Sequence, residues 1–224
     1  MSYVDAFFNR EADQIQVVER REDGKRHFTE YPVRYTFYYG DQRGKYKSIY
    51  GDPLNKISCK NTKDFRKELA INKNKALFES DINPIFQCLS TNYLNHDAPK
   101  LNVAFFDIET DFDPERGFAD PADPFMPITA ISVHLQWLNT LVTLAVPPKG
   151  LTMEQATEQC KDFPNTHLFS DEADMLKTFL DLIDDADIIS GWNSEGYDIP
   201  YCVNRVARVL SKNDTRRFCL WDQL

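Results

Sequence analysis

The sequence has no run of about 18 apolar residues, and this absence excludes a membrane-spanning protein. Its first residues, MSYVDAFFNREADQ, lack the basic and apolar segments of a secretory signal. The five cysteines are scattered and form no C-x-x-C pair, which argues against a zinc site and against a disulfide framework. With 42% hydrophobic and 27% charged residues, the chain is too apolar for disorder. We therefore expect a folded protein of the reducing cytoplasm.

Charge is unevenly distributed along the 224 residues, whose formal net charge is -9. Residues 1–100 hold 17 basic and 14 acidic side chains, whereas residues 101–224 hold 9 basic and 21 acidic ones. A turn-rich stretch, Asn95-His96-Asp97-Ala98-Pro99, lies where the composition changes. We therefore predict two domains, 1–100 and 101–224.

The first domain is predicted to be small and rich in β-structure. Segments of aromatic and β-branched residues alternate with polar turns, which is typical of strands. Phe65, Leu69 and Ala70 fall on one side of a charged segment, which indicates a helix over 62–71. The predicted strands are Gln14–Val18, His27–Thr29 and Tyr31–Tyr39.

The second domain is predicted to be an α/β domain with a mixed sheet, which makes the whole chain α+β. Leu101–Ile108 is a nearly continuous apolar run, typical of a strand covered on both faces. The other predicted strands are Ile128–Trp137, Thr140–Val146 and the buried segment Asp187–Trp192. Three helices are also predicted. The first begins at the capping-box pattern Thr152-x-x-Gln155, and the third begins beside Pro200, where apolar residues recur at helical spacing. The second begins with the acidic turn after Ser170, and its apolar face consists of Met175, Phe179, Leu180 and Ile183.

Asp107 and Glu109 are the first candidate functional residues. Because side chains in a strand alternate between its faces, both carboxylates point to the same side. Two like charges there repel each other, and a divalent cation with a preference for hard oxygen ligands, Mg²⁺ or Mn²⁺, removes the repulsion. In the alternative interpretation the strand ends at Phe106 and both acids are solvated in a loop. The pattern D-x-E alone does not decide between the two.

Asp198 is the second candidate, within GWNSEGYDIPY (191–201), where a polar turn follows an apolar strand and leads into a helix. A helix N-terminus stabilises an anion through its dipole and free N–H groups, so a carboxylate there stays ionised and able to bind metal. In the alternative interpretation Asp198 is a plain cap residue. Trp192 and Tyr197 are either packing residues or stacking partners for the bases of single-stranded nucleic acid.

FFDIET followed by GWNSEGYDIPY resembles the first and second exonuclease motifs of family B DNA polymerases, in particular the replicative enzymes of T-even-like tailed bacteriophages. The resemblance covers the whole chain. Glu30-Tyr31-Pro32 and Ile49-Tyr50-Gly51-Asp52-Pro53 are similar to stretches of that family's N-terminal domain, and residues 127–132 are similar to the strand after the first motif.

The resemblance implies a ribonuclease-H-like 3′–5′ exonuclease that removes mispaired nucleotides from the single-stranded 3′ end of DNA. Asp107, Glu109 and Asp198 match the family's catalytic metal ligands, and Glu109 would also orient the attacking water. The implied cofactors are two ions of Mg²⁺ or Mn²⁺. Phe118 lies where the phage enzymes carry an aromatic residue that touches the frayed 3′ end, and Asn193 would bond to the substrate backbone.

The family's third exonuclease motif, Y-x-x-x-D, is expected beyond the second one, and the sequence ends at Leu224 before it. The one such pattern, Tyr93…Asp97, precedes the first motif and is interpreted as coincidence. We therefore expect a domain truncated at its C-terminus, either a natural subunit or a piece of a longer polymerase. Its sheet should expose an apolar surface. The implied partner is a second polymerase chain with the third motif, palm, fingers and thumb, in the cytoplasm of a bacterial host.

A second hypothesis is a non-catalytic nucleic-acid-binding or assembly subunit of a replication complex. Between Arg43 and Lys75 there are ten basic residues and three acidic ones, with Tyr46 and Tyr50 among them. This mixture suits contact with phosphates and bases, and the alternative is a solvated basic face. A third hypothesis, a self-sufficient small exonuclease, is weaker because no histidine follows His167 to serve as a late metal ligand.

Overall fold

The computed structural model describes residues 2–223, which form two compact units with their boundary between Lys100 and Leu101. The elements of the first unit are β1 (Ser2–Asn9), β2 (Gln14–Arg20), β3 (Arg26–Pro32), β4 (Tyr35–Gly40), β5 (Tyr46–Lys47), β6 (Pro53–Cys59), α1 (Thr62–Asn72), β7 (Leu77–Phe78) and α2 (Pro84–Tyr93).

Two separate sheets make up the β-structure of the first unit, with strand orders β1-β2-β3 and β5-β6-β4-β7. The prediction of one strand over 31–39 is wrong. Here β3 ends at Pro32 because it pairs with β2, and β4 begins at Tyr35 because it pairs with β6 in the other sheet. Helix α2, whose N-cap Asn83 accepts the N–H of Ile85, has no counterpart among the predicted elements.

The second unit is built on a five-stranded mixed sheet of order β11-β10-β9-β8-β12. Its elements are β8 (Val103–Thr110), β9 (Ile128–Leu135), a 3₁₀ helix (Gln136–Leu138), β10 (Thr140–Ala145), α3 (Met153–Gln159), β11 (Thr166–Leu168), α4 (Glu172–Ile183), β12 (Ile188–Ser190), α5 (Asp198–Val209) and a second 3₁₀ helix (Asp214–Phe218). The pairs β10–β11 and β8–β12 are parallel, whereas β8–β9 and β9–β10 are antiparallel. The predicted mixed α/β sheet is therefore confirmed.

Helices α4 and α5 supply the apolar side chains that bury one face of this sheet. The side chain of Asp171 caps α4 by accepting the N–H of Asp174, and the predicted apolar face of α4 is fully buried. Phe179 from that face packs 5.5 Å from the ring of Phe106 on β8. The capping box at Thr152 is also confirmed, with Gln155 as its partner.

The opposite face of the sheet is open to solvent. Phe105, Leu141 and Ile188 on β8, β10 and β12 are between 42% and 51% exposed. The prediction that residues 101–108 form a strand covered on both faces is therefore wrong, because the helices pack on one face only. Strand β12 is likewise shorter and less buried than predicted. Among the helices of residues 2–223, none has the length and apolar composition needed to cross a membrane.

Candidate active site

Asp107 and Glu109 lie on the open face near the end of β8. The strand continues to Thr110, so the alternative in which both acids sit in a loop is wrong. Both side chains are exposed and alternate with the buried Phe106 and Ile108. The two carboxylates are therefore neighbours on one face of a strand that the core holds in place.

Asp198 is the first residue of α5 and is only 5% exposed. Its Oδ1 accepts the backbone N–H of Ile108 at 3.2 Å, and Ile108 lies between Asp107 and Glu109 in the sequence. The plain-cap interpretation does not hold, because the N-cap position belongs to Tyr197. The hydrogen bond brings the third carboxylate to the strand that carries the other two.

The surroundings of Asp198 raise the pKa of its carboxyl above the ordinary value. Burial is the largest influence and raises the pKa of Asp198, and the negative charge of Asp107 raises it further. The backbone N–H groups of Ile108 and of Asp198 itself act in the opposite direction. A bound cation strongly stabilises the ionised form of a buried carboxylate beside another carboxylate, because it offsets both the loss of water and the repulsion between the two charges.

The turn between β12 and α5 positions Asp198. A Cβ on Gly191 would lie 2.3 Å from the carbonyl oxygen of Phe106, so only glycine lets β12 approach β8 this closely. Asn193 adopts the left-handed conformation with φ of 52°, which asparagine tolerates well. Its carbonyl oxygen accepts the N–H of Gly196 at 2.9 Å and that of Tyr197 at 3.1 Å. The exposed side chain of Asn193 thus stands on a fixed turn that leads into α5.

Phe118 lies in the segment 111–127, which connects β8 to β9, and is 72% exposed. Its ring meets the half-exposed ring of Phe112 edge-on at 5.1 Å. Phe112 is not among the site residues predicted from the sequence, although an exposed apolar residue is indicated by its position in a polar segment, three residues after Glu109. In the turn before α5, Trp192 is 90% exposed and does not pack into the core, while Tyr197 is half-buried against Tyr201.

The carboxylates do not form a closed cluster of metal ligands in the described part of the chain. Residues 2–223 contain no group of three or more histidine, cysteine, aspartate or glutamate side chains arranged to hold a metal ion. Hard oxygen donors of this kind nevertheless fit Mg²⁺ or Mn²⁺ by type, and Mg²⁺ is usually bound by one or two carboxylates together with water and substrate phosphates. The donor set therefore suits an ion that arrives with a phosphate-bearing substrate.

A comparison with protein families identifies the class to which this fold and site belong. The model of the exonuclease domain of DNA polymerase family B matches residues 53–222, which is most of the chain. The chain therefore belongs to the family B DNA polymerases.

Two curated relatives narrow the comparison to phage enzymes. The DNA-directed DNA polymerase of Enterobacteria phage T4 is 28% identical over 230 residues, a match that covers 90% of this chain and 25% of the relative. The DNA-directed DNA polymerase of Escherichia phage RB69 is 26% identical over 200 residues, covering 79% of this chain and 22% of the relative. The chain thus spans about a quarter of the length of the curated relatives it matches. The resemblance to T-even phage polymerases in the exonuclease region is confirmed.

Proposed function

We propose that this chain is the N-terminal part of a family B replicative DNA polymerase and contributes the first part of its 3′–5′ proofreading exonuclease. The observation that carries the proposal is the hydrogen bond from the N–H of Ile108, the residue between Asp107 and Glu109, to Asp198, within the region that matches the family's exonuclease domain. We assign the mixed sheet of the second unit to the ribonuclease-H-like class, with residues 1–100 as the polymerase's N-terminal domain.

The cofactor we propose is a pair of Mg²⁺ or Mn²⁺ ions held by these three carboxylates. When bound, such ions activate a water molecule and stabilise the leaving 3′ oxygen. The negative charge of Asp107 contributes to the raised pKa of Asp198, so these are the two carboxylates that would hold a cation together. Glu109 is exposed on the same face and would orient the attacking water by accepting its hydrogen bond.

Phe118 and Asn193 are the proposed contacts to DNA. Phe118 offers an exposed ring on the segment that leaves β8, and a ring in that place can stack on the terminal base of a single strand. Asn193 offers an exposed amide on the turn before Asp198, from which it can donate to a phosphate oxygen. Phe118 belongs to the segment that follows Glu109 and Asn193 to the turn that precedes Asp198, which supports contacts of both side chains with a strand end bound at the carboxylates.

Full activity would need protein that lies outside this chain, either a second polymerase chain or a missing C-terminal region. Two observations support this part of the proposal. The curated polymerases are about four times as long as the region they share with this chain. The open face that carries the carboxylates also exposes Phe105, Leu141 and Ile188, an apolar surface suited to further protein. We place the complete enzyme in the cytoplasm of a bacterial host.

The test is the cleavage of a 5′-labelled single-stranded oligonucleotide by the purified chain, with Mn²⁺ and with EDTA. We expect stepwise loss of 3′ nucleotides that needs the metal. The Asp107→Ala/Glu109→Ala variant should be inactive, whereas Glu115→Ala, which removes an exposed carboxylate from the neighbouring loop, should match the wild type.

Equal cleavage by the wild type and the double variant would point to a contaminating nuclease and would count against the proposal. If neither cuts, the chain lacks exonuclease activity of its own. The same substitutions are then compared after adding the chain that carries the third motif and the palm. Continued lack of metal-dependent cleavage in that mixture would refute the exonuclease assignment.

A second candidate function, a nucleic-acid-binding module, is favoured by one face of the sheet β5-β6-β4-β7. Tyr38 and Tyr46 lie on that face with their rings 5.4 Å apart, and Tyr38 pairs across the strands with Lys56. The opposite face packs Tyr35, Ile57 and Cys59 into the core. All ten basic side chains between Arg43 and Lys75 are exposed. Aromatic rings bordered by lysines can stack on bases and contact phosphates at the same time.

Salt titration of oligonucleotide binding tests this second candidate. Each phosphate contact contributes about 0.7 to the slope of log K against log salt for a single strand. Lys56→Ala should reduce that slope by about one such contact, and Tyr46→Ala should weaken binding without changing the slope. Lys161→Ala, on the other unit, serves as the charge-matched control. If all the variants bind as the wild type does, the basic stretch is a solvated face.

A further inference from the structure

One side of α5 holds the segment 111–127 through a series of hydrogen bonds at helical spacing. The hydroxyl of Tyr201 donates to the carbonyl of Met126 at 2.8 Å. One turn further on, the Asn204 amide donates to the carbonyl of Pro121 at 2.8 Å. The guanidinium of Arg205 donates to the carbonyl of Pro124 at 2.8 Å and to that of Phe125 at 3.3 Å. Since Asp198 begins this same helix, α5 connects the carboxylate site to the segment that carries Phe118.

Arg205 is the centre of this arrangement because its remaining donors reach a buried carboxylate. Its Nε and Nη2 donate to the two oxygens of Glu172 at 2.8 and 2.6 Å, and both side chains are nearly nine-tenths buried. Glu172 in turn accepts the backbone N–H of Ile128, the first residue of β9. One ion pair therefore joins α4, α5 and the end of the segment 111–127.

We propose that Arg205, held by Glu172, is a positioning residue for the exonuclease site: it fixes the segment 111–127, and with it Phe118, relative to Asp198. The inference rests on the proposed exonuclease function. Four donors of a planar guanidinium are used here in fixed directions, two toward the carboxylate and one toward each of two carbonyls. A lysine can keep the ion pair but has no fork with which to hold the carbonyls as well.

The substitution Arg205→Lys therefore separates positioning from folding. Removing the charge altogether would leave Glu172 buried and unpaired and endanger the fold, whereas lysine keeps a charge partner for it. The matched control is Arg208→Ala, one turn further along α5, which breaks the exposed ion pair to Asp123 in the same segment. Exposed pairs of this kind contribute little.

The first measurement is the rate of tryptic cleavage after Arg116, two residues before Phe118. This rate reports on how well ordered the segment is and does not depend on nuclease activity. We expect Arg205→Lys to speed this cleavage about tenfold while the melting temperature stays within a few degrees of the wild type. Arg208→Ala should stay within about twofold. Equal rates in the wild type and in Arg205→Lys would overturn the inference, and so would equal acceleration by Arg208→Ala.

The second measurement is a double-substitution cycle with Phe118→Ala in the 3′ cleavage assay. If Arg205 acts by placing Phe118, the combined variant cleaves no more slowly than the slower single variant. A purely structural Arg205 would lower the folded fraction, so that the two losses would multiply, which would overturn the inference. If no variant cleaves, including the wild type, the chain lacks exonuclease activity of its own, and the tryptic rates alone decide whether Arg205 fixes the segment.

Discussion

The contact between Gly191 and β8 gives the sharpest prediction for this chain. A Cβ at residue 191 would stand 2.3 Å from the carbonyl oxygen of Phe106, and real Cβ atoms are not found closer than 3.0 Å to such an atom. The backbones of β8 and β12 must then separate by at least about 0.7 Å. Neither strand can rotate a side chain out of the way, because both sides of the contact are fixed. We therefore expect Gly191→Ala to be destabilising.

The cost follows from the kind of contact. Forcing an extra methyl group into a packed site costs about 1–3 kcal/mol. A loss of 1 kcal/mol lowers the melting temperature of a chain of this size by about 2–4 °C, so the expected fall is about 2–12 °C. Because β12 leads through the turn to Asp198, the shift also disturbs the hydrogen bond from Ile108 to that carboxylate. Any exonuclease activity should fall by more than the loss of folded protein explains.

Gly196→Ala is the matched control, in the same turn and with an ordinary φ. Its Cβ would meet the amide oxygen of Asn193 at 2.8 Å, and that atom is the end of a flexible, exposed side chain that can rotate away. We expect a change of about 0.5 kcal/mol or less, of either sign. Thermal unfolding of both variants in EDTA makes the comparison. If Gly191→Ala melts within a degree of Gly196→Ala, the close approach of β12 to β8 is not what fixes this turn.

Two further predictions concern the site itself. Burial and the charge of Asp107 raise the pKa of Asp198 above its ordinary value of 3.8. The metal-free protein should therefore lose stability as the pH rises from that ordinary value through the raised pKa, because the folded protein holds this proton more tightly than the unfolded chain does. Asp198→Asn should avoid the loss. Thermal unfolding in EDTA should show the melting temperature of Asp198→Asn rising relative to that of the wild type as the pH increases above 3.8. A difference independent of pH would contradict this. Phe118→Ala should weaken binding of a single-stranded 3′ end by about 1–3 kcal/mol, the usual contribution of a stacked base. Fluorescence anisotropy measures it, and an equal loss in Phe112→Ala would assign the stacking to the aromatic pair.

The placement of Asp107 and Glu109 could be predicted because it depends only on local geometry. A strand has a period of two, and the alternation of buried Phe106 and Ile108 with the exposed acids reproduces it. Their proximity to Asp198 could not follow from any local pattern. It depends on β12 lying parallel and next to β8, a pairing between segments 85 residues apart in register, and the sequence indicated it only through resemblance to a family.

The covering of β8 was predicted wrongly for a related reason. Phe105 lies on the face that carries the acids, and there it stacks on His134 of β9 while staying 45% exposed. An apolar residue on an open face makes the run of residues 101–108 look like a strand buried on both sides. Pattern alone records that a residue is apolar, and it does not record whether a helix has been placed above it.

The hydrogen bonds between α5 and the segment 111–127 could not be predicted from the sequence, because here the polar residues gave a misleading pattern. Tyr201, Asn204, Arg205 and Arg208 repeat at the spacing of one helix face, and polar residues at that spacing are usually the solvated side of a helix. In the structure Tyr201 and Arg205 are buried, because the segment brings backbone carbonyls that need donors. The backbone groups of a long loop without strands or helices of its own need hydrogen-bond partners elsewhere in the protein. The seventeen residues between β8 and β9 form such a loop. A polar helix face and an unsupported loop, taken together, would have indicated that each is the other's partner.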